Sequence, residues 1–246
     1  MSLPRFFVPA LPDGDPRGEI ALPADEAGHL TRVLRLGAGD EIAIFDGRGR
    51  EFRARVTRVS RNSAHVELAE RVEATAEPRV RLTLAQAILK GEAMDDVVRD
   101  ATMMGVARID PIVSAHVVVK SSGHASERWR RVAIASAKQC RRAVVPAIGE
   151  PRRFDAWLAD AASDVKAMLV EPALGVTSPR DLHSVFGSAA ASATVLVGPE
   201  GGWSVEERQR AGAAGFIPVT LGALTLRADA TPIVGIALLR FVLGDL

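Results

Sequence analysis

The chain has 246 residues, of which 48% are hydrophobic and 25% charged, with a formal net charge of +1 at pH 7. This balance is typical of globular domains and excludes a long disordered or strongly charged chain. No apolar run approaches the roughly 18 residues of a membrane span, and we expect no secretory leader. The single cysteine, Cys140, excludes an internal disulfide, and the histidines lack ligand spacing. We therefore expect a cytoplasmic protein without a metal site.

The N-terminal part of the chain is predicted to be mainly β. The alternation of apolar and polar residues that marks a strand recurs in three segments: 41–45, 52–56 and 64–68. Residues 46–49 between the first two are a hairpin turn signal. A short helix is expected before them, with Leu30, Val33 and Leu34 on one face and Asp25 as its cap. Several short strands so close together favour a small barrel.

The rest of the chain has the pattern of an α/β domain. Residues 70–78 are polar and end in a proline, which predicts a linker, so we expect a β module over 1–73 and a second domain over 74–246. Strands are expected at 80–87, 109–113, 166–170, 194–197 and 217–221. Helices are expected at 94–106, 127–142, 205–214 and from 232 onward. This alternation predicts a mostly parallel sheet with helices on both faces.

Two clusters of basic residues stand out against the near-neutral net charge. The first, between Arg48 and Arg61, contains six arginines and one acid, Glu51. The second lies along the helix expected at 127–142. On one interpretation the two clusters bind a polyanion, and on the other they are solvated faces of a strand and a helix.

A glycine-rich segment, 198–202, directly follows a predicted buried strand. Ligands bind at the carboxyl ends of parallel strands, and glycine lets the backbone approach a ligand closely. Ser204 and Glu207 form a capping box, so a helix is expected to begin there, and Trp203 is expected to pack in the core. The segment lacks the lysine of a P-loop and the spacing of a dinucleotide-binding motif. A ligand site and a structural turn are therefore both open.

A second segment, 221–232, lies between the last predicted strand and the last helix. Thr231 and Pro232 are expected to be the N-cap and first residue of that helix. Arg227 and Asp229 lie between a buried strand and an apolar helix. They form either a simple ion pair or a charge pair at the mouth of a site.

Together these two segments resemble the ribosomal RNA small subunit methyltransferase E family, the uridine N3-methyltransferases of the SPOUT class. The resemblance is carried by 197–202 and by Leu221, Gly222, Leu226 and Arg227. Further matching stretches follow in order along nearly the whole chain: 4–7, 29–36, 45–47, 86–91 and 139–142.

The resemblance implies an N-terminal PUA-like β-barrel that binds RNA and a C-terminal SPOUT domain tied in a trefoil knot. It also implies S-adenosylmethionine as cofactor, and a homodimer that acts on 16S ribosomal RNA or the assembled small subunit. By the matching positions, nine residues would line the cofactor site: Leu196, Gly198, Pro199, Glu200, Gly201, Gly202, Leu221, Gly222 and Leu226. Six arginines are expected to contact RNA: Arg5, Arg32, Arg35, Arg53, Arg55 and Arg142.

The implied reaction assigns roles to two charged residues. Uracil N3 must lose its proton before it can attack a methyl group, and the negative charge then lies on O2 and O4. We expect Arg227 to stabilise that charge, and Asp229 to orient Arg227 or accept the proton. The family usually has an arginine at Leu224, a glutamate at Asp229, a glutamate at Met103 and an arginine at His116. These departures lie on the side expected to meet the base and leave the cofactor loop intact.

Two alternatives stand beside this interpretation. The chain could be a SPOUT methyltransferase that modifies a ribose hydroxyl or another base, or an RNA-binding protein that has kept the fold without catalysis. The intact glycine loop favours an enzyme, because a non-catalytic relative does not need close approach of the backbone to a cofactor.

Overall fold

The structure is a computed structural model that describes residues 3–11, 18–60, 63–117, 124–172, 176–187 and 189–246. These residues form two compact units. The first comprises the chain up to Glu77 together with Ala137–Val145, and the second comprises Pro78–Ser136 and Pro146–Leu246. The segment 137–145, expected in the second domain, therefore groups with the first unit.

Polar contacts explain why the segment 137–145 belongs to the first unit. The Arg5 guanidinium donates a hydrogen bond to the carbonyl oxygen of Ala137 at 2.7 Å. The Lys138 ammonium forms an ion pair with Glu26 at 2.8 Å. Arg142 pairs with a glutamate, Glu77, at the end of the first stretch. Each contact joins residues far apart in the sequence, which local patterns do not reveal.

The first unit is built on a sheet with five strands among its described residues. Strands β1 to β5 are Arg5–Phe7, Gly18–Ala21, Glu41–Phe45, Glu51–Val59 and Ala64–Val72. Their order is β1-β3-β4-β5-β2, with β1 parallel to β3 and the other pairs antiparallel. In β4 the alternation buries Phe52, Ala54 and Val56 and exposes Arg53 and Arg55, as the pattern predicts. The β-rich N-terminal module is confirmed.

The helix expected near Asp25 is short and continues as a π-helical turn. Helix α1 spans Ala24–Gly28, and the π-helical turn spans His29–Val33. Pro23 occupies the N-cap position, so the prediction that Asp25 caps the helix is wrong. Leu30 is buried, but Val33 and Leu34 are 64% and 40% exposed. The wider π-turn rotates them off the buried face that an ordinary helix would give them.

The second unit is an α/β domain on a parallel sheet. Strands β6 to β12 are Arg81–Ala87, Arg108–Val113, Ala147–Ile148, Arg152–Arg153, Val165–Leu169, Ser192–Val197 and Ile217–Val219. Their order is β12-β10-β11-β6-β7-β8, with β9 also paired to β7, and every pair between the described strands of this unit is parallel. The predicted parallel sheet is confirmed. Because the strands are parallel, the segments after β6, β10, β11 and β12 emerge at the same edge.

Helices α2 to α7 are Ala93–Met103, Ala125–Gln139, Phe154–Leu158, Leu182–Phe186, Val205–Ala213 and Thr231–Val242. A 3-10 turn at Pro179–Asp181 precedes α5. The N-cap of α7 is Ala230 and not Thr231, whose hydroxyl instead donates to the carbonyl oxygen of Arg227 at 2.8 Å. Within the described ranges, none of the helices combines the length and hydrophobicity that crossing a bilayer requires.

Candidate functional site

A cavity of about 680 Å³ lies at the edge of the sheet where β6, β10, β11 and β12 end. The segments that follow these strands supply most of its lining: Leu89 and Ala93, 169–172, 197–203, and 220–221 with 224–229. Pockets for small ligands typically measure about 300–1,000 Å³. The cavity therefore has the size and the position of a small-molecule site in a parallel sheet.

The loop 198–202 is shaped by its glycines and packs against the end of β10. Gly202 has a φ of +67°, a backbone conformation that side-chain-bearing residues rarely adopt. A Cβ atom on Gly198 would lie 3.1 Å from the indole nitrogen of Trp203. That nitrogen donates a hydrogen bond to the carbonyl oxygen of Leu169 at 3.1 Å. Trp203 also packs partly buried against the core, as predicted.

Helix α6 begins directly after the loop, and the predicted capping box is confirmed. The Ser204 hydroxyl accepts the Glu207 N–H at 3.1 Å, and the Glu207 carboxylate accepts the Ser204 N–H at 3.0 Å. The other oxygen of Glu207 accepts the Ala115 N–H at 2.8 Å. Both oxygens of this buried carboxylate are thus engaged. On the neighbouring Glu206, a hydrogen bond from its own backbone N–H lowers the pKa of the carboxyl from its usual value.

Most of the predicted cofactor residues come together at the cavity. Seven of the nine line it: Gly198, Pro199, Glu200, Gly201, Gly202, Leu221 and Leu226. The side chain of Leu196 instead lies in a core cluster with Met168 and Phe216. Gly222 lies in the turn between lining residues, with a φ of +120°. Leu196 does not line the cavity because it precedes the end of β11, and its side chain still packs between the sheet and the helices.

Several lining residues were not predicted from the sequence. The segment 169–172 follows β10, and the strand-end rule could have found it, because a buried strand was expected there. Leu89 and Ala93 follow β6 in the same way. Arg208 lines the cavity from α6. No sequence signal marks Arg208, because its position depends on the rotation of the helix about its axis.

Arg227 and Asp229 form an ion pair at the cavity. The distances are 3.1 Å from Arg227 Nε to Asp229 Oδ1 and 2.6 Å from Nη2 to Oδ2. The Arg227 side chain is 85% exposed, and that of Asp229 is 25% exposed. Arg227 and Asp229 are thus paired with each other and also line the cavity, so the two interpretations of this pair do not exclude each other. In the part of the chain that the structure describes, no group of His, Cys, Asp and Glu side chains could hold a metal ion.

The positions that depart from the family pattern lie in different surroundings. Leu224 lines the cavity and is 81% exposed. His116 is exposed, and its Nδ1 lies 3.0 Å from the carbonyl oxygen of Gly201 and 3.2 Å from that of Gly202. Met103, at the end of α2, is 40% exposed.

Two arginines expected to contact RNA are buried. The side chain of Arg5 is 8% exposed and pairs with Glu51 at 2.8 Å. The side chain of Arg142 is 7% exposed and pairs with Glu77. A buried guanidinium that is already paired is not available to a phosphate. The structure therefore corrects the expectation that Arg5 and Arg142 contact RNA.

The other arginines expected to contact RNA are exposed. Arg53 and Arg55 each pair at 3.3 Å with a glutamate of a neighbouring strand. Arg32 and Arg35 are exposed at the end of the π-helical turn. Arg61 of the first basic cluster lies outside the described residues. An exposed ion pair contributes little to stability, so breaking one costs little free energy. These arginines therefore stay available to a polyanion.

Comparison with known families and proteins gives consistent results. The model of the RNA methyltransferase domain matches residues 76–240, and that of the RNA methyltransferase PUA domain matches residues 22–69. Ribosomal RNA small subunit methyltransferase E of Synechocystis is 30% identical to this chain over 91% of the chain and 73% of its own length. The protein of the same name from Buchnera aphidicola (Acyrthosiphon pisum) is 26% identical over 90% of this chain and 88% of its own.

Two proteins of solved structure share the fold over nearly the whole chain. Ribosomal RNA small subunit methyltransferase E from Neisseria gonorrhoeae, bound to S-adenosyl methionine, has a TM-score of 0.88 and 28% identity, and 98% of each chain is covered. A methyltransferase from Legionella pneumophila, in complex with the cofactor SAM, has a TM-score of 0.90 and 27% identity, again with 98% of each chain covered.

Proposed function

Because this chain belongs to the ribosomal RNA small subunit methyltransferase E family, we propose that it transfers a methyl group from S-adenosylmethionine to N3 of a uridine in 16S ribosomal RNA. One observation carries the proposal: the loop 198–202 and the Arg227–Asp229 pair line the same cavity. A cofactor loop and a charge pair able to act on a base are thereby brought together.

The cavity suits S-adenosylmethionine in size and in chemistry. Apolar side chains that would hold the adenosine part are those of Leu89, Leu169, Leu221 and Leu226. Glu171 and Glu200 would match the positive charges of the cofactor, and Arg208 would match its carboxylate. When bound, S-adenosylmethionine supplies a methyl group on a positively charged sulfur.

Arg227 and Asp229 have distinct roles in the proposed reaction. The exposed Arg227 guanidinium stabilises the negative charge on O2 and O4 of uracil once N3 has lost its proton. Asp229 binds Arg227 through both of its oxygens. We therefore infer that Asp229 is a positioning residue for Arg227, and that the N3 proton passes to solvent water, which reaches the cavity beside the 85% exposed Arg227 side chain. Holding the base in line with the methyl group supplies much of the acceleration.

We propose a PUA-like RNA-binding domain over 1–73 and a SPOUT domain with a trefoil knot over 74–246. The exposed arginines of the N-terminal module are proposed to contact RNA phosphates: Arg32, Arg35, Arg53 and Arg55. The substrate is 16S ribosomal RNA or the assembled small subunit, in the cytoplasm. We also propose a homodimer, supported by three exposed apolar residues of α5 and α7: Val185, Val234 and Phe241.

Two measurements test the proposed function. Calorimetry with S-adenosylmethionine should show saturable binding, and its absence would contradict a methyltransferase. Nucleoside mass spectrometry of 16S ribosomal RNA from a deletion strain should show the loss of a 3-methyluridine, restored by the wild-type gene. If the 3-methyluridine persists and another methylated nucleoside disappears, the enzyme has a different target.

A further inference from the structure

The segment after β7, residues 114–116, packs against the glycine loop. The imidazole Nδ1 of His116 lies within hydrogen-bond distance of both the Gly201 and the Gly202 carbonyl oxygens, at 3.0 and 3.2 Å. One residue earlier, the Ala115 N–H donates to Glu207 at the start of α6. A Cβ atom on Gly201 would lie 3.1 Å from the Cβ atom of His116. Hydrogen bonds and close packing thus hold the loop from this side.

The two carbonyl groups determine which nitrogen of His116 carries a proton. A carbonyl oxygen only accepts hydrogen bonds, so Nδ1 must be the donor. The neutral Nδ1–H tautomer and the imidazolium both meet this requirement. The tautomer protonated only on Nε2 does not, because its Nδ1 lone pair would face two oxygens. The contact therefore depends on a donor at the Nδ1 position.

The loop needs support from outside because glycine is costly to order. Three glycines stand among residues 198–202, and glycine loses more conformational freedom on ordering than any other residue. Within the loop, the Gly202 N–H donates to the carbonyl oxygen of Pro199 at 2.9 Å. Trp203 attaches the loop to the end of β10, and His116 attaches it to the segment after β7. Gly201 and Gly202 line the cavity.

We propose that His116 is a positioning residue for the cofactor loop, acting through its Nδ1–H on Gly201 and Gly202. The proposal rests on S-adenosylmethionine as the ligand of the cavity. A loop that is ordered beforehand binds its ligand more tightly, because less conformational freedom is lost on binding. Loss of one hydrogen bond of this kind should weaken cofactor binding by roughly fivefold.

Two variants of His116 separate a positioning role from a purely structural one. The His116→Asn variant places an amide donor near the position of Nδ1. The His116→Leu variant keeps a side chain of similar size but has no donor. The control is His124→Leu, which removes an imidazole that is 87% exposed in the same unit. Calorimetry would give the dissociation constant of S-adenosylmethionine. Hydrogen exchange of the Gly202 amide would report the order of the loop without cofactor.

His116→Leu should raise the dissociation constant roughly fivefold and speed exchange of the Gly202 amide, with the melting temperature lowered by no more than about 4 °C. His116→Asn and His124→Leu should match the wild type. Unchanged exchange or unchanged affinity in His116→Leu would overturn the proposal, as would failure of His116→Asn to rescue both. If the wild type does not bind S-adenosylmethionine, the proposed cofactor is wrong, while the exchange measurement still judges the contact itself.

Discussion

The side chain of Arg227 is 85% exposed at the cavity, whereas that of Arg5 is 8% exposed and bonded to Glu51 and backbone carbonyls. The family resemblance and the reaction that it implies predict functional roles for both arginines. In the structure, Arg227 is accessible to a substrate, whereas Arg5 is buried inside the first unit. The residue type shows that each side chain is charged, but it does not show which distant residue pairs with it. Arg5 and Glu51 are 46 positions apart.

Replacement of Arg227 tests its role at the residue level. In Arg227→Ala we expect the rate constant of methyl transfer to fall about 10²–10³-fold, because a preorganised group that stabilises the developing charge is lost. Arg227→Lys should recover only part of the activity, since lysine cannot reproduce the bidentate geometry. Single-turnover methylation of small subunits, with S-adenosylmethionine saturating, is the measurement.

The control for Arg227 is another arginine in an exposed pair with an aspartate. Arg210 pairs with Asp155 at 2.6 Å and does not line the cavity. Arg210→Ala should methylate at the wild-type rate. Wild-type methylation by Arg227→Ala would remove Arg227 from the mechanism.

Among the elements, the hairpin between β3 and β4 shows how a local signal becomes a stable turn. Asp46 Oδ1 accepts the N–H groups of Arg48 and Arg50 at 2.7 and 3.1 Å, and Oδ2 accepts Arg50 Nε at 2.7 Å. Burial acts to raise the pKa of Asp46, but the hydrogen bonds from Arg50 and the backbone outweigh it, and the pKa lies below its usual value. The sequence predicts this turn because Asp46 and Gly47 are residue types that favour hairpin turns.

The lowered pKa of Asp46 predicts how stability depends on pH. A carboxylate whose pKa is lowered by folding stabilises the fold above its ordinary pKa of 3.8, and this contribution is lost as the pH falls through the folded-state value. Asp46→Asn should therefore lower the free energy of unfolding at pH 7. The difference from wild type should shrink below about pH 4. Urea unfolding at pH 7 and pH 3 measures both.

An exposed aspartate provides the comparison for Asp46. Asp25 lies in the first turn of α1, and the structure describes no hydrogen bond of its side chain. Asp25→Asn should lower the free energy of unfolding at pH 7 by less than Asp46→Asn does, because the Asp25 carboxylate lacks these hydrogen bonds. A difference for Asp46→Asn that is equally large at pH 3 and pH 7 would rule out the ionised carboxylate as its cause.

The ends of elements and the shortest elements were harder to predict than the long ones. The amphipathic pattern extended α3 to Arg142, but the helix ends at Gln139. Arg141 has a φ of +63°, and this left-handed residue ends the helix where glycine is usual. Strands β8 and β9 have two residues each and helices α4 and α5 five. Such segments are too short to show a hydrophobic period.

For the whole molecule, the proposed homodimer is tested by a charge on α7. Phe241 is 64% exposed and would be covered in a dimer that uses this helix. Phe241→Glu should give a monomer by light scattering, because an interface would otherwise bury an unpaired charge. Val59→Glu, on an apolar residue of β4 that is 40% exposed, is the control and should leave the mass unchanged. A monomeric wild type would contradict the proposed homodimer, and a dimeric Phe241→Glu would exclude Phe241 from its interface.

The sequence by itself determined the order of a β-rich module and an α/β domain, the loop 198–202 and the capping box after it. These features depend on periodicity, glycine content and contacts three residues apart, which are local. Only the tertiary structure decided that Leu196 packs in the core, that Arg5 and Arg142 are buried, and that the ends of four strands enclose one cavity. It also placed His116 on Gly201, 85 positions away. The reason is physical: burial and hydrogen-bond partners arise between segments distant in sequence, and strand order brings those segments together.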